Sequence, residues 1–360
     1  MTSPRANAIE SQDVSLIFGE NAGVFDQTYI VPEGTILGLI GPSGCGKTTT
    51  VRLALGLYRP HKGTIRVLGV NPATFRAEHQ AHIGYIPQQF VLYPNLSVAE
   101  NAEFIASLYG MRRSQIRARL DELLEFVDLT DARHRLGRQL SGGMQRRLML
   151  VGALMHDPDL IFADEPTAGI DPVLRGKFWD YFRALRDQGR TLLITTQIVS
   201  EAMYCDYVAV MRQGRLLAID TPQNLKRRAL GGEIIHLTLA NPANLAKAVG
   251  ALRRYPHVKE VRYVPESDRE LYVTVDDAGD WIPDVLNLLE DPNGPNIVVE
   301  SAEELALTFD DVFIRIIRQW ETQPIDPTPT VDDMAEKATY DQHRAGSSYA
   351  SHPDDNTPRR

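Results

Sequence analysis

Ile36-Leu37-Gly38-Leu39-Ile40-Gly41-Pro42-Ser43-Gly44-Cys45-Gly46-Lys47-Thr48-Thr49 is the stretch that decides the fold. Its first five residues are short and apolar, as in a strand covered on both faces. The rest has the spacing Gly, four residues, Gly, Lys, Thr, which is the phosphate-binding loop pattern. Glycines let the backbone turn tightly, so several N–H groups can aim at one anion. A helix expected over 47–57 presents its N-terminus to the phosphates. Lys47 adds a mobile cation, and the Thr48 hydroxyl is the hard oxygen that Mg²⁺ prefers. Gly41, Pro42, Ser43, Gly44, Cys45, Gly46, Lys47, Thr48 and Thr49 are therefore the expected nucleotide-phosphate loop. The bland alternative, a glycine-rich turn, is disfavoured by a strand before it and a helix after it. Cys45 occupies a position that the pattern leaves free, where a small residue fits; a lone thiol needs identified neighbours to be called reactive.

Further apolar runs of strand length lie at 160–163, 192–194 and 208–211, with helical patterns between them. The fold class expected is α/β, with a mostly parallel sheet. The second run continues into Asp164-Glu165-Pro166. If this strand shares a sheet with the phosphate loop, both strand ends lie on the rim where ligands bind. Asp164 would then reach the Mg²⁺ shell, and Glu165 could polarise an attacking water as general base. Alone, the pair would read as a solvated acidic turn. The stretch 111–129 carries apolar residues at helical spacing, so a mostly helical insert is expected over about 89–145. Within it, Ser97 and Glu100 have the spacing of a capping box.

Composition bounds the rest. The chain has 360 residues, enough for two domains and a tail. Its 47 acidic residues outnumber its 38 basic ones, giving a net charge of −9, which argues against a dedicated nucleic-acid binder. Two cysteines exclude a disulfide framework and fit a reducing compartment. No apolar run approaches the roughly 20 residues of a membrane helix. The polar start lacks the apolar core of a signal peptide, so a soluble chain is expected. The domains expected are 1–230, a small α+β domain over 231–322, and a Pro/Asp/Ser-rich tail over 323–360 that reads as disordered. In the small domain, strands are expected at 233–239 and 271–275, and helices at 245–253 and 302–319.

Leu140-Ser141-Gly142-Gly143-Met144-Gln145 lies between the phosphate loop and the acidic strand end. A Gly-Gly pair opening an apolar helix is again an anion-binding design. With this motif the chain resembles the ATP-binding subunit of an ABC transporter, closest to the drug and antibiotic export type. The resemblance is strong over about 10–230 and weaker over 231–320. It implies a P-loop ATPase cassette with ATP and Mg²⁺ as cofactors. Thr48, Gln88 and Asp164 would hold the metal, and Glu165, Gln88 and Gln197 would be catalytic. Gln88 falls on the family's Gln loop, with Gln89 as the adjacent alternative. Ser141, Gly142 and Gly143 would face ATP from a second copy, and Asp171 would help couple the two sites. Phe18 falls where the family stacks an aromatic on adenine, although it fits a core position equally well.

Partners implied are a second ATP-binding subunit, as a homodimer, and an integral membrane permease; no nucleic acid is expected. The location implied is the cytoplasmic face of the cell membrane. The function implied is ATP hydrolysis driving export. Two alternatives stand beside it, an ATP-binding regulatory module with little hydrolysis and a non-transport ABC ATPase. One departure matters: the family places His where this chain has Gln197. Glutamine donates an amide N–H but carries no proton or charge. Losing a charged donor to a transition state costs about two to three orders of magnitude in rate, part of which a neutral donor recovers.

Overall fold

The computed structural model describes residues 6–19, 22–305 and 308–322. The expected tail over 323–360 lies outside the described residues. Two sheets build the larger, N-terminal unit. The first contains β1 (Asn7–Gly19), β2 (Ala22–Pro32) and β4 (Lys62–Val67), in the order β2-β1-β4 and antiparallel. The second contains β3 (Ile36–Ile40), β5 (Ile83–Ile86), β6 (Leu160–Asp164), β7 (Thr191–Thr196), β8 (Tyr207–Arg212) and β9 (Arg215–Asp220). Its order is β5-β6-β7-β3-β8-β9, parallel except for the closing β8–β9 hairpin.

The apolar runs now have a reason. Along β3, Ile36 and Ile40 enter one core, while Leu37 and Leu39 enter the other. Ile161 and Ala163 of β6 likewise face away from Leu160 and Phe162. A strand covered on both faces has no solvent side, so alternation of apolar and polar residues disappears. Helices α1 (Lys47–Ala54) and α2 (Ala77–Gln80) follow in the first half. α1 ends earlier than the expected 47–57. Gly56, at φ +73, turns the chain, and a Cβ there would meet Pro72 O at 2.3 Å. A glycine just past a helix end is the usual stop.

The insert holds α3 (Val98–Leu108), α4 (Arg113–Phe126) and the start of α5 (Gly142–Leu154). Ser97 Oγ accepts from Glu100 N at 3.2 Å, and Glu100 Oε2 accepts from Ser97 N at 2.7 Å, so the expected capping box forms. α6 (Pro172–Asp187) and α7 (Pro222–Leu230) complete the unit. Among the described residues, no helix is long and apolar enough to cross a membrane.

The smaller unit runs β10 (Glu233–Leu239), α8 (Leu245–Leu252), β11 (Glu260–Tyr263), β12 (Glu270–Val275), α9 (Ala278–Glu290) and β13 (Val299–Glu304). Its sheet order, β11-β12-β10-β13 with antiparallel neighbours, is the split βαβ arrangement. Helix was expected over 302–319, and that is corrected: Ala302 pairs with Leu237 in the sheet. The segment 301–304 has helical propensity, but an open sheet edge overrides it. The helix is α10 (Phe309–Thr322), which leaves the smaller unit. Phe309, Val312 and Ile316 join the core of the larger unit, beside α7 and the 3₁₀ segment Val199–Tyr204.

That placement predicts the effect of truncating Ile316. Ile316→Ala removes apolar atoms from the larger core and should cost about 2–5 kcal/mol. The check is the urea midpoint of the full chain. A midpoint matching wild type would place α10 outside that core.

Candidate functional site

Four adjacent strands of the parallel sheet, β5, β6, β7 and β3, end at the same rim. Each hands its next residues to one cluster. After β3 the chain turns through Gly44 (φ +76) and Gly46 (φ +110), and Gly46 caps α1. Gly41 tolerates no side chain, because a Cβ would lie 2.3 Å from Met211 O and 2.6 Å from Cys45 Sγ. Lys47 Nζ donates to Gly41 O at 2.8 Å and Pro42 O at 3.1 Å. It also lies 3.3 Å from Glu165 Oε1, with both side chains under 10 % exposed.

β6 delivers Asp164 and Glu165. Asp164 Oδ1 accepts from Thr195 Oγ1 of β7 at 2.6 Å and from Thr48 Oγ1 at 3.2 Å. Glu165 N donates to Thr195 Oγ1 at 3.0 Å and Thr195 O at 3.1 Å. Glu165 sits at φ +47, a left-handed conformation that a side-chain-bearing residue adopts at a cost of about 1–3 kcal/mol. Strain of this kind, held by two hydrogen bonds from one amide, aims the carboxylate at Lys47. The loop after β5 contributes Gln88, whose Nε2 donates to Glu165 Oε2 at 2.9 Å. Arg146 of α5 holds that loop by donating to Gln88 O. β7 leads to exposed Gln197, whose Oε1 accepts from Ser43 Oγ at 2.7 Å. Its amide N–H₂ makes no hydrogen bond among the described residues, so it can serve a phosphate.

Glu165, Gln88, Gln197, Lys47, Thr48 and Asp164 are therefore brought together. Thr50, just beyond, is anchored through Gln27 Oε1 at 3.0 Å. Three expected sites lie elsewhere. Ser141 is exposed and caps α5, its Oγ accepting from Met144 N at 3.3 Å. Gly143 lies so close to α6 that a Cβ would meet Leu174 Cδ2 at 2.4 Å. No hydrogen bond or ion pair joins 141–143 to the phosphate loop among the described residues. Asp171 caps α6, accepting from Val173 N and Leu174 N at 3.0 Å each. Phe18 is 59 % exposed, edge-on to Tyr58 at 5.7 Å, so it is no core residue.

The donor set suits Mg²⁺. Mg²⁺ is usually held by one or two carboxylates plus substrate phosphates rather than by an all-protein cage. Asp164 Oδ1 and Thr48 Oγ1 supply two hard oxygens at the phosphate loop. No cluster of three or more His, Cys, Asp or Glu able to hold a metal occurs among the described residues. A cavity of about 390 Å³ lined by Phe75, His79, His82 and Asp159 sits at the opposite rim, by the start of β5, away from this chemistry. Thr195 and Arg146 were not anticipated. Thr195 had one signal, a hydroxyl in an otherwise apolar run.

Residues 25–168 match the family profile described as ABC transporter. A daunorubicin resistance ATP-binding protein of Streptomyces coeruleorubidus is 35% identical over 87% of this chain and 94% of that protein. The Nod factor export ATP-binding protein I of Burkholderia lata is 36% identical over 73% of this chain and 87% of that protein. A probable multidrug ABC transporter ATP-binding protein of Escherichia coli (strain K12) is 35% identical over 64% of this chain. The match spans only 40% of that protein's length. Among solved structures, an ATP binding subunit of an ABC transporter superposes with a TM-score of 0.56 at 29% identity, covering 62% of this chain and 93% of that one. A dimeric ATP-binding cassette bound to ADP and Pi superposes at 0.54 with 24% identity, over 59% and 98%, and bears on the fold alone.

Burial pushes the Cys45 thiol above its usual value, against the opposing charge of Lys47. The thiol should therefore stay protonated at pH 8, and only the thiolate alkylates quickly. Iodoacetamide should label Cys45 at least ~10-fold more slowly in the folded chain than in urea. Equal rates, read by peptide mass spectrometry, would contradict the buried placement.

Proposed function

The chain belongs to the ABC transporter family as an ATP-binding subunit, and from that premise we propose that it hydrolyses Mg²⁺-bound ATP in a dimer to power export through a separate membrane subunit. The observation that carries this reading is the single hydrogen-bonded cluster of Lys47, Thr48, Asp164, Glu165 and Gln88 at one sheet rim.

Each residue has a task there. N–H groups of the loop beyond Pro42 and the Lys47 ammonium cradle the β- and γ-phosphates. When Lys47 turns to phosphate, Glu165 loses its counter-charge and becomes the acceptor for the proton of the attacking water. Gln88 stays bonded to Glu165 and orients it. Thr48 and Asp164 would hold Mg²⁺, whose charge would offset that of the phosphates when bound. Gln197, fixed by Ser43, turns its amide donors to the γ-phosphate in place of the imidazole usual at this position. Phe18 offers an exposed ring for the adenine.

A second copy completes the site. The exposed start of α5, with Ser141, Gly142 and Gly143, is an anion-binding helix N-terminus that its own phosphate loop does not engage. Two copies related by a two-fold axis would each lend this terminus to the other. Asp171, at the start of α6 beside Gly143, lies where the two sites would communicate. Exposed Val91, Tyr93, Phe104 and Leu108 follow the Gln88 loop and offer an apolar surface to a membrane permease. Tyr93 and Phe104 pack edge-on at 5.0 Å within it. Export is the direction favoured by the names of the relatives. The proposed location is accordingly the cytoplasmic face of the membrane.

Gln197 favours one second reading, a regulatory ATP-binding module with little turnover. Phosphate release decides between the two. In the motor reading, turnover per chain rises with protein concentration, and Glu165→Gln lowers it by at least ~100-fold while ATP still binds. Turnover absent from the wild-type chain even with its permease in membranes would establish the module.

The role given to Gln197 has its own measurement. Gln197→Ala should lower kcat by about tenfold with little change in nucleotide affinity, and Gln197→His should raise it. Unchanged turnover in Gln197→Ala would remove Gln197 from the phosphate contacts.

A further inference from the structure

Glu201 lies on the 3₁₀ segment Val199–Tyr204, four residues after Gln197. It is a carboxylate only 1 % exposed, and the mechanism above gives it no task. Its Oε1 accepts a hydrogen bond from Thr167 Oγ1 at 2.7 Å. Thr167 is equally buried and stands two residues beyond Glu165. The same oxygen lies 3.7 Å from Arg175 Nε on α6. Glu201 Oε2 and Arg175 Nε are both buried without a hydrogen bond among the described residues.

One side chain thus touches three pieces of the site: the segment that follows Gln197, the loop that follows Glu165, and the first turns of α6, which Asp171 caps. The 3₁₀ segment is itself wedged in place. Tyr204 stacks on Trp179 and lies under Arg183, both of α6. α10 packs against the same segment.

A buried carboxylate with one oxygen unpaired is a poor choice for packing alone, since an apolar residue would avoid the desolvation. A short tie between moving parts does need such a group. We infer that Glu201 is a positioning residue that fixes the spacing between Gln197 and Glu165 by bonding Thr167, with its carboxylate already facing Arg175 of α6 through Oε1. From the 3.7 Å between Glu201 Oε1 and Arg175 Nε, under about an ångström of approach would make that pair a hydrogen bond. Gln197 and Glu165 must face the same water, so their separation matters more than the stability of either loop. The inference rests on the ATPase reading proposed above.

The test uses the full chain as Glu201→Gln, Glu201→Ala and Thr167→Val. Two readouts are taken, amide hydrogen exchange of peptides covering 165–171 and 197–204, and steady-state ATP turnover. Glu201→Ala and Thr167→Val should speed exchange at 165–171 by ~5-fold or more. They should lower kcat about tenfold while KM for ATP stays within about twofold. Glu201→Gln keeps the carbonyl acceptor for Thr167 and should restore both readouts to within about threefold of wild type. Exchange at 165–171 unchanged in Glu201→Ala, or not restored in Glu201→Gln, overturns the tie. The exchange readout needs no turnover, so an inactive wild-type chain counts against the ATPase reading and leaves the tie decided by exchange.

Discussion

Parallel pairing of β6, β7 and β3 is the constraint on which the chemistry depends. In that register Asp164 stands opposite Thr195, and Ile40 opposite Thr196. The strand ends therefore coincide, and the residues that follow them meet. Thr195 shows how tight the requirement is. Its hydroxyl donates to Asp164 and accepts from the Glu165 amide. A slip of one residue would turn Thr195 to the other face and leave both groups unsupported. These strands are apolar on both faces, so burial alone would tolerate such a slip and the polar pairing at their ends opposes it.

The buried Lys47–Glu165 pair follows from that geometry and explains how the site stays charged in a nearly dry place. Desolvation opposes both charges, and their attraction offsets much of it. Such a pair adds little net stability. Its value is that each partner is held ready. A nucleotide's phosphates carry more charge than one carboxylate, so they compete for Lys47. Binding then leaves Glu165 with Gln88 as its remaining hydrogen-bond partner. The positive φ of Glu165 belongs to the same arrangement: a relaxed backbone there would not direct the carboxylate at both Lys47 and Gln88.

Much of this was legible because it is local in sequence. The glycines of 41–46 announce the loop by their spacing, although distant Met211 is what bars a side chain at Gly41, and the capping box of Ser97 and Glu100 closes within four residues. The runs at 160–163 and 192–194 announced buried strands through composition alone. Contacts between distant segments were not legible. Arg146 reaches Gln88 across 58 positions, and Thr195 reaches Asp164 across 31. Thr195 is marked only by being a hydroxyl in an apolar run, and nothing local marks Arg146. The segment 301–304 failed for another reason. Its residues favour helix locally, but β10 offers an edge for it to pair with, and only the assembled smaller sheet reveals that edge.

The placement of the α5 terminus carries the last step. Its exposed Ser141 and Gly142 lie on a different part of the chain from the phosphate loop, with Leu174 of α6 filling the space beside Gly143. In the proposed dimer each nucleotide is then a bridge rather than a passenger. Donors from two copies would converge on one triphosphate, since neither copy offers both sets to the same nucleotide. Closing the dimer and completing the catalytic site become the same event. In that proposal, hydrolysis would break the bridge at the γ-phosphate. Force on a membrane partner thus requires no special lever inside the chain. In the proposed assembly it would require only that the surface beside the Gln88 loop move with the body that carries Glu165, to which the Gln88–Glu165 hydrogen bond joins it.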